Sequence, residues 1–128
     1  MRVVLQRVAE ARVTAGERSA AIGRGFLLLV GIEVGDTESV VDWMAAKVAG
    51  LRVFEDAEGK MNLGLGDVDG EILAVSQFTL AGSVARGRRP SFEGAMAPGP
   101  ARSLFQAFVA RLRTEGLQVQ EGFFQEHM

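Results

Sequence analysis

A small polar cluster at the end of an apolar stretch is the first group of residues that could carry out chemistry. The segment EILAVSQF (71–78) is mostly apolar and ends in Ser76, Gln77 and Phe78, which Thr79 follows. Polar groups at a strand end lie at the rim of a sheet, where hydroxyl, amide and backbone N–H groups can converge on a ligand. The alternative is a hydrogen-bonded strand end with Phe78 in the core, and the residues alone favour that alternative.

A second cluster follows in the segment RGRRPSF (86–92). It places the guanidinium groups of Arg86, Arg88 and Arg89 beside the aromatic ring of Phe92. Guanidinium groups bind phosphates, and aromatic rings stack on nucleic-acid bases. The segment therefore predicts a nucleic-acid contact, with a solvated basic loop as an equal alternative. The formal net charge of −2 is too small to decide between them.

The composition excludes several familiar chemistries. The chain has no cysteine, so it has no thiolate nucleophile, zinc–thiolate site, iron–sulfur cluster or disulfide. A Ser-His-Asp relay would depend on His127, the single histidine, which lies one residue from the end of the sequence. Three carboxylates, Glu55, Asp56 and Glu58, lie in a hydrophilic stretch that favours a solvated turn over an acid–base pair.

Five short stretches predict the strands that must position these residues. Segment 26–32 is apolar at every position, which favours a strand covered on both faces. The other predicted strands are 2–8, 11–14, 71–78 and 117–124, with turns at Gly16 and at residues 23–25.

Two stretches predict helices. Asp36 or Thr37 can cap a helix over 38–50, with an apolar stripe that includes Val40 and faces a core. Pro100 suits the first position of a helix over 100–115, and Gly116 suits the residue after its end. The loop over 51–70 is either functional or folded on itself, and residues 82–99 are irregular. We predict a single α+β domain of mixed or antiparallel sheets with two main helices packed on them.

The sequence resembles the D-aminoacyl-tRNA deacylase family, also called the D-tyrosyl-tRNA deacylase family, over all of residues 1–128. The shared motifs, in order, are QRV (6–8), LLVGIE (28–33), FEDAEGKMNL (54–63), VSQFTLAG (75–82) and RGRRPSF (86–92).

This resemblance implies an enzyme that hydrolyses the ester between a D-amino acid, or glycine, and the terminal adenosine of tRNA. Such a reaction is a proofreading step in translation quality control. The resemblance also implies a cytoplasmic homodimer with active sites near the subunit interface. No cofactor, metal ion, membrane or DNA is expected. A non-catalytic nucleic-acid-binding or dimerisation module of the same fold is the alternative.

The resemblance assigns roles to the first cluster. Ser76, Gln77, Phe78 and Thr79 line the site, Phe78 lies near the terminal adenosine, and backbone N–H groups contact the aminoacyl carbonyl. Thr79 matches a hydroxyl considered as a nucleophile, whereas a second mechanism uses the 2′-hydroxyl of the tRNA. The composition favours the second mechanism, because the sequence offers no obvious base to activate a threonine.

One family motif is not found in residues 1–128. This is a Gly-cis-Pro pair that enters the partner's site and rejects L-residues, and Arg7 matches the arginine that helps to hold it. Gly99-Pro100 is no substitute, because it heads a predicted helix. We expect the missing segment, with a C-terminal strand, in a native chain that extends beyond Met128.

Overall fold

The computed structural model describes residues 1–124 and contains two α-helices and eight strands in that part of the chain. The helices are α1 (Glu38–Gly50) and α2 (Pro98–Thr114). The strands are β1 (Arg2–Val8), β2 (Ala11–Ala15), β3 (Arg18–Ile22), β4 (Gly25–Gly31), β5 (Phe54–Glu55), β6 (Met61–Leu63), β7 (Glu71–Ser76) and β8 (Gln118–Glu121).

The central sheet has four strands in the order β1-β4-β7-β8. Strand β1 runs antiparallel to β4, whereas β4, β7 and β8 are parallel neighbours. Parallel neighbours need a long crossover, and α1 and α2 lie in the two crossovers. Strands β2 and β3 form one antiparallel hairpin, and β5 and β6 form another. The predicted α+β class with a mixed sheet and two helices is confirmed.

The two central strands are covered on both faces. Phe26, Leu28 and Val30 of β4 are fully buried in the core that contains both helices. On the other face, Leu73 and Val75 of β7 pack with the β2–β3 hairpin. Full burial of one such side chain stabilises the fold by about 1.5–3 kcal/mol. The prediction of a doubly covered strand over 26–32 is confirmed.

Helix α1 has the predicted bounds, and its N-terminus is capped by the Thr37 hydroxyl, which accepts a hydrogen bond from the N–H of Val40. The predicted apolar stripe is wrong for Val40, which is exposed because it lies outside the face formed by Val41, Ala45 and Val48.

Helix α2 begins at Pro98 rather than Pro100. Both prolines fit because the first-turn N–H groups have no partner within the helix. Gly116 follows the helix with a φ of 83°, as its predicted role requires.

Two predicted strands are too long, and three observed strands, β3, β5 and β6, were not predicted. The segment 71–78 ends as a strand at Ser76, and 117–124 is reduced to Gln118–Glu121. The sequence of β3, RSAAI, was missed because it has small and polar residues where strands usually have β-branched ones. Segment 51–70 folds on itself into the β5–β6 hairpin and a 3-10 turn, as one of its alternatives predicted.

His127 lies outside the described residues, so its predicted position at a chain end is not tested. Within residues 1–124, no helix is long and apolar enough to cross a membrane.

Candidate active site

The first predicted cluster lies where β7 leaves the sheet. Ser76 is the last residue of β7 and pairs with Val30 of β4. The next N–H, that of Gln77, donates to the Val30 carbonyl at 2.8 Å, and the chain then forms a 3-10 turn over Phe78–Ala81. The polar cluster therefore lies at the rim of the sheet, where strand pairing stops.

The turn directs Phe78 outward. Its side chain is 57% exposed, so the alternative interpretation with Phe78 in the core is wrong. Strand β7, in which residues 72–75 are all buried, ends at Ser76, so Phe78 lies outside the buried part of the strand. The ring packs instead edge-to-face on Phe92, with centroids 5.3 Å apart and an interplanar angle of 73°. This contact joins the two clusters that the sequence singled out.

The polar atoms of the turn are the side chains of Gln77 and Thr79, which bond to each other, and the backbone N–H groups, some of which have no partner. The side-chain amide of Gln77 donates to the Thr79 hydroxyl. Within residues 1–124, neither a carboxylate nor an imidazole hydrogen-bonds to that hydroxyl. The first backbone N–H in the turn that donates to a carbonyl is that of Leu80, which bonds to Gln77 at 3.3 Å. In the described chain, the N–H groups of Phe78 and Thr79 have no backbone partner.

The arginines of the second cluster lie on a short loop beside this rim. The loop is closed by reciprocal hydrogen bonds of 2.7 Å between the backbones of Ser83 and Ser91. Its tip carries three exposed guanidinium groups that form no ion pair or hydrogen bond with residues 1–124, those of Arg86, Arg88 and Arg89. We call residues 83–91 the arginine loop.

Arg7 lies at the other end of the sheet. In the strand register, Arg7 of β1 lies opposite Phe26 of β4. Ser76 of β7 lies opposite Val30, four residues further along β4. That separation is about 13 Å at about 3.3 Å per residue. Within one chain, the structure therefore does not bring Arg7 to the rim.

The Arg7 side chain borders a cleft instead. Its Nη1 donates to the Val53 carbonyl at 2.6 Å. The cleft has a volume of about 400 Å³ and is lined by Arg7, Val8, Ala9, Arg24, Phe54 and Glu55. The guanidinium of Arg24 lies over the ring of Phe54, 5.0 Å from its centroid.

Two residues beside the turn, Arg2 and Glu33, were not found by sequence reasoning. Arg2 Nη1 donates to the Leu80 carbonyl at 3.2 Å, and Arg2 Nε lies 3.3 Å from Glu33 Oε2. The Met1 ammonium also pairs with Glu33 and with Asp36. Burial lowers the pKa of this ammonium, but hydrogen bonds to Asp36 and Glu33 outweigh that effect and leave the pKa above its ordinary 8.0. No sequence pattern signals these contacts, because Arg2 and Leu80 are 78 residues apart.

Gly99 and Pro100 lie in the first turn of α2, and no peptide bond is cis in the described part of the chain. This agrees with the prediction that the pair does not replace a Gly-cis-Pro motif. The expected segment beyond Met128 stays a prediction.

The chain belongs to the D-Tyr-tRNA(Tyr) deacylase family, whose family model matches residues 4–128. It is 54% identical over 129 residues to a D-aminoacyl-tRNA deacylase of Geobacter sulfurreducens, covering 100% of this chain and 85% of the relative. It is 57% identical over 125 residues to one of Exiguobacterium sibiricum, covering 97% of this chain and 86% of the relative. The predicted family and its enzymatic class, a hydrolase of D-aminoacyl-tRNA, are confirmed.

Two solved structures share the fold. The c-Myc DNA unwinding element binding protein superposes with a TM-score of 0.90 at 39% identity, covering 99% of this chain and 87% of that one. A probable eukaryotic D-amino acid tRNA deacylase superposes with a TM-score of 0.81 at 18% identity, covering 98% and 89%. The second comparison supports the fold alone.

Proposed function

We propose that this chain hydrolyses D-aminoacyl-tRNA at the rim formed by Ser76, Gln77, Phe78 and Thr79. The observation that carries the proposal is the contact of Phe78 with Phe92, because Phe92 directly follows the arginine loop and the contact places that loop beside the polar rim. A single surface then offers polar groups for an ester, an exposed ring for a terminal base and cations for phosphates.

The free N–H groups of Phe78 and Thr79 are the proposed oxyanion donors. Water attacks the ester carbonyl, and the negative charge that develops on the carbonyl oxygen is stabilised by these two donors. The bond between the carbonyl carbon and the ribose oxygen then breaks, and that oxygen takes up the proton that the attacking water gives up, so the products are the free D-amino acid and the tRNA. An aminoacyl ester is already activated, so orientation and charge stabilisation supply much of the acceleration.

The Thr79 hydroxyl is not the proposed nucleophile. It accepts a hydrogen bond from Gln77 and, in residues 1–124, has no basic group to remove its proton. A threonine without a base is a weak nucleophile. We therefore assign the assisting hydroxyl to the substrate, whose ribose 2′-hydroxyl adjoins the ester.

The arginine loop is the proposed contact for tRNA. Arg86, Arg88 and Arg89 are exposed and unpaired within the described chain, so binding a phosphate would break no internal ion pair. Phe78 is the proposed support for the terminal adenine, since an exposed ring beside a basic loop suits stacking on an unpaired base.

A homodimer remains part of the proposal. Arg7 lies at the opposite end of the sheet from the rim, so a role in the same site would need a second copy to bring the two ends together. We also propose that residues 1–128 belong to one deacylase domain, which the expected C-terminal strand and Gly-cis-Pro segment would complete, and that the protein acts in the cytoplasm, where aminoacyl-tRNA is used. Sedimentation of the purified chain tests the dimer.

The decisive assay measures release of D-tyrosine from D-Tyr-tRNA by the unmodified native chain, including the segment expected beyond Met128, and by its Phe78→Ala variant. Trp43→Ala is the matched control, because Trp43 is an exposed aromatic residue on α1, outside the rim. We expect activity in the unmodified chain and the control, and a loss of about tenfold in kcat/KM in Phe78→Ala, since stacking on one base contributes about 1–3 kcal/mol. An inactive unmodified chain, or equal activity in both variants, would overturn the proposal.

The alternative, a non-catalytic nucleic-acid-binding module, is not favoured. Three relatives that are 51–57% identical to this chain over the aligned residues are named as D-aminoacyl-tRNA deacylases.

A further inference from the structure

The turn that carries Phe78 and Thr79 is attached to the sheet at both ends. At its beginning, the Gln77 N–H donates to the Val30 carbonyl at 2.8 Å. Near its end, Leu80 packs so closely on Gly31 that a β-carbon on this glycine would lie 2.9 Å from the Leu80 Cβ. The Leu80 carbonyl, at the same end, accepts a hydrogen bond from Arg2.

Arg2 connects this carbonyl to Glu33. Its Nη1 is 3.2 Å from the Leu80 oxygen, and its Nε is 3.3 Å from Glu33 Oε2. Glu33 is itself fixed, because its backbone N–H donates to Asp36 Oδ2 at 2.7 Å and it forms a β-bridge with Ala95. The guanidinium therefore links the carbonyl end of the turn to a well-anchored carboxylate.

We propose that Arg2 is a positioning residue for deacylation, acting through the Leu80 carbonyl on the N–H groups of Phe78 and Thr79. The inference rests on the proposed function, which makes those N–H groups the oxyanion donors. No contact between Arg2 and the substrate is required.

The contact should matter more for catalysis than for stability. The Arg2 side chain is 59% exposed, and ion pairs in that setting contribute little to the free energy of unfolding. The catalytic rate is far more sensitive to loss of this contact than the free energy of unfolding is, because small displacements of a reacting or stabilising group cause large losses of rate. Removal of Arg2 should thus shift the turn without unfolding the chain.

The experiment compares Arg2→Ala, Arg2→Lys and Glu33→Gln with the unmodified chain on D-Tyr-tRNA. We expect kcat to fall about tenfold in Arg2→Ala with KM changed less than about twofold. Arg2→Lys should recover part of the rate, because an ammonium reaches one of the two partners. Glu33→Gln should lose less than Arg2→Ala, because the arginine remains. Arg12→Ala is the matched control, since Arg12 is an exposed arginine on β2 without a contact to the turn.

A second measurement does not depend on activity. In Arg2→Ala, the amide resonances of Phe78 and Thr79 should shift, and the hydrogen-bonded amides of Leu80 and Gly82 should exchange hydrogen faster than in the unmodified chain. Arg12→Ala should leave all of them unchanged. The melting temperature should stay within about 2 °C in both variants, in line with a loss well under 1 kcal/mol.

Three results would overturn the inference. Unchanged amide resonances in Arg2→Ala would show that Arg2 does not hold the turn. An unchanged kcat in Arg2→Ala, with the unmodified chain active, would show that the contact of Arg2 with the turn has no catalytic role. A raised KM with an unchanged kcat would make Arg2 a tRNA contact instead. An inactive unmodified chain would refute the proposed function, and the amide measurement would still decide whether Arg2 positions the turn.

Discussion

The ring of Phe92 lies against the backbone of Gly82, so close that a β-carbon at this position would come within 2.8 Å of the Phe92 Cε1 atom. The same β-carbon would lie 3.0 Å from the Thr79 carbonyl oxygen. Glycine is therefore required for close approach here, not for an unusual backbone angle. The absent side chain lets Phe92 reach Phe78 and support its exposed ring.

Gly82→Ala should weaken the binding of tRNA by displacing Phe92 from Phe78. An edge-to-face aromatic pair contributes about 0.5–1.5 kcal/mol beyond its burial, so we expect KM to rise about two- to tenfold. Steady-state kinetics on D-Tyr-tRNA measures the change. Gly50→Ala is the control, because a β-carbon at Gly50 meets nothing within 4 Å. Equal KM values for the two variants would show that the aromatic pair does not support the substrate.

Replacing the arginines of the arginine loop by alanine should make tRNA binding weaker and less dependent on salt. Each arginine–phosphate contact that is lost should reduce the magnitude of the slope of log affinity against log salt by about 0.7 for a single strand. The loss should be alike for all tRNAs, because phosphate contacts do not read sequence. Filter binding of Arg86→Ala, Arg88→Ala and Arg89→Ala, singly and combined, measures it. An unchanged slope in the combined variant would favour the solvated-loop alternative.

The Asp56 carboxylate accepts hydrogen bonds within the turn of the β5–β6 hairpin, and these bonds should be detectable as a lowered pKa of this carboxylate. Its Oδ1 accepts the N–H groups of Glu58 and Lys60 at 2.9 and 3.0 Å. The bond from Lys60, followed by those from Glu58 and Asn62, lowers the pKa of Asp56 below its ordinary 3.8. Because the folded pKa is the lower one, the contribution to stability is present above pH 3.8 and is lost as pH falls through the folded pKa.

An NMR titration should therefore show the Glu58 and Lys60 amide resonances moving together, with a midpoint below pH 3.8. Asp56→Ala should abolish this movement, whereas Asp42→Ala on the exposed side of α1 should leave it in place. A midpoint at or above the ordinary value would contradict the hydrogen bonds described for this turn.

Sequence patterns predicted those parts of the fold that depend on local periodicity. Helix α1 has its predicted bounds because Thr37 marks its N-terminus and buried apolar residues recur at helical spacing as far as Val48, near its end. The position of Phe78 was less accessible to such reasoning, since a continuing strand and a 3-10 turn are compatible with the same five letters, SQFTL. Its exposure depends on Gly82 and Phe92, and the contact of Arg2 with Leu80 depends on the pairing of β1 with β4. Long-range contacts of this kind leave no local pattern.

The last prediction concerns the group that assists hydrolysis. The Thr79 hydroxyl accepts the Gln77 amide and, in the described residues, has no base beside it. Thr79→Ala should therefore retain substantial deacylation. A non-isomerising 3′-linked substrate analogue with hydrogen in place of the terminal 2′-hydroxyl should lose most of it, because the neighbouring hydroxyl is already oriented at the ester. Thr79→Ser, which keeps the hydroxyl, is the control for repacking of the turn. Single-turnover rates on both substrates decide between the two hydroxyls. A covalent aminoacyl-threonine trapped at Thr79, or a loss beyond about a thousandfold in Thr79→Ala with the fold intact, would make the threonine the nucleophile.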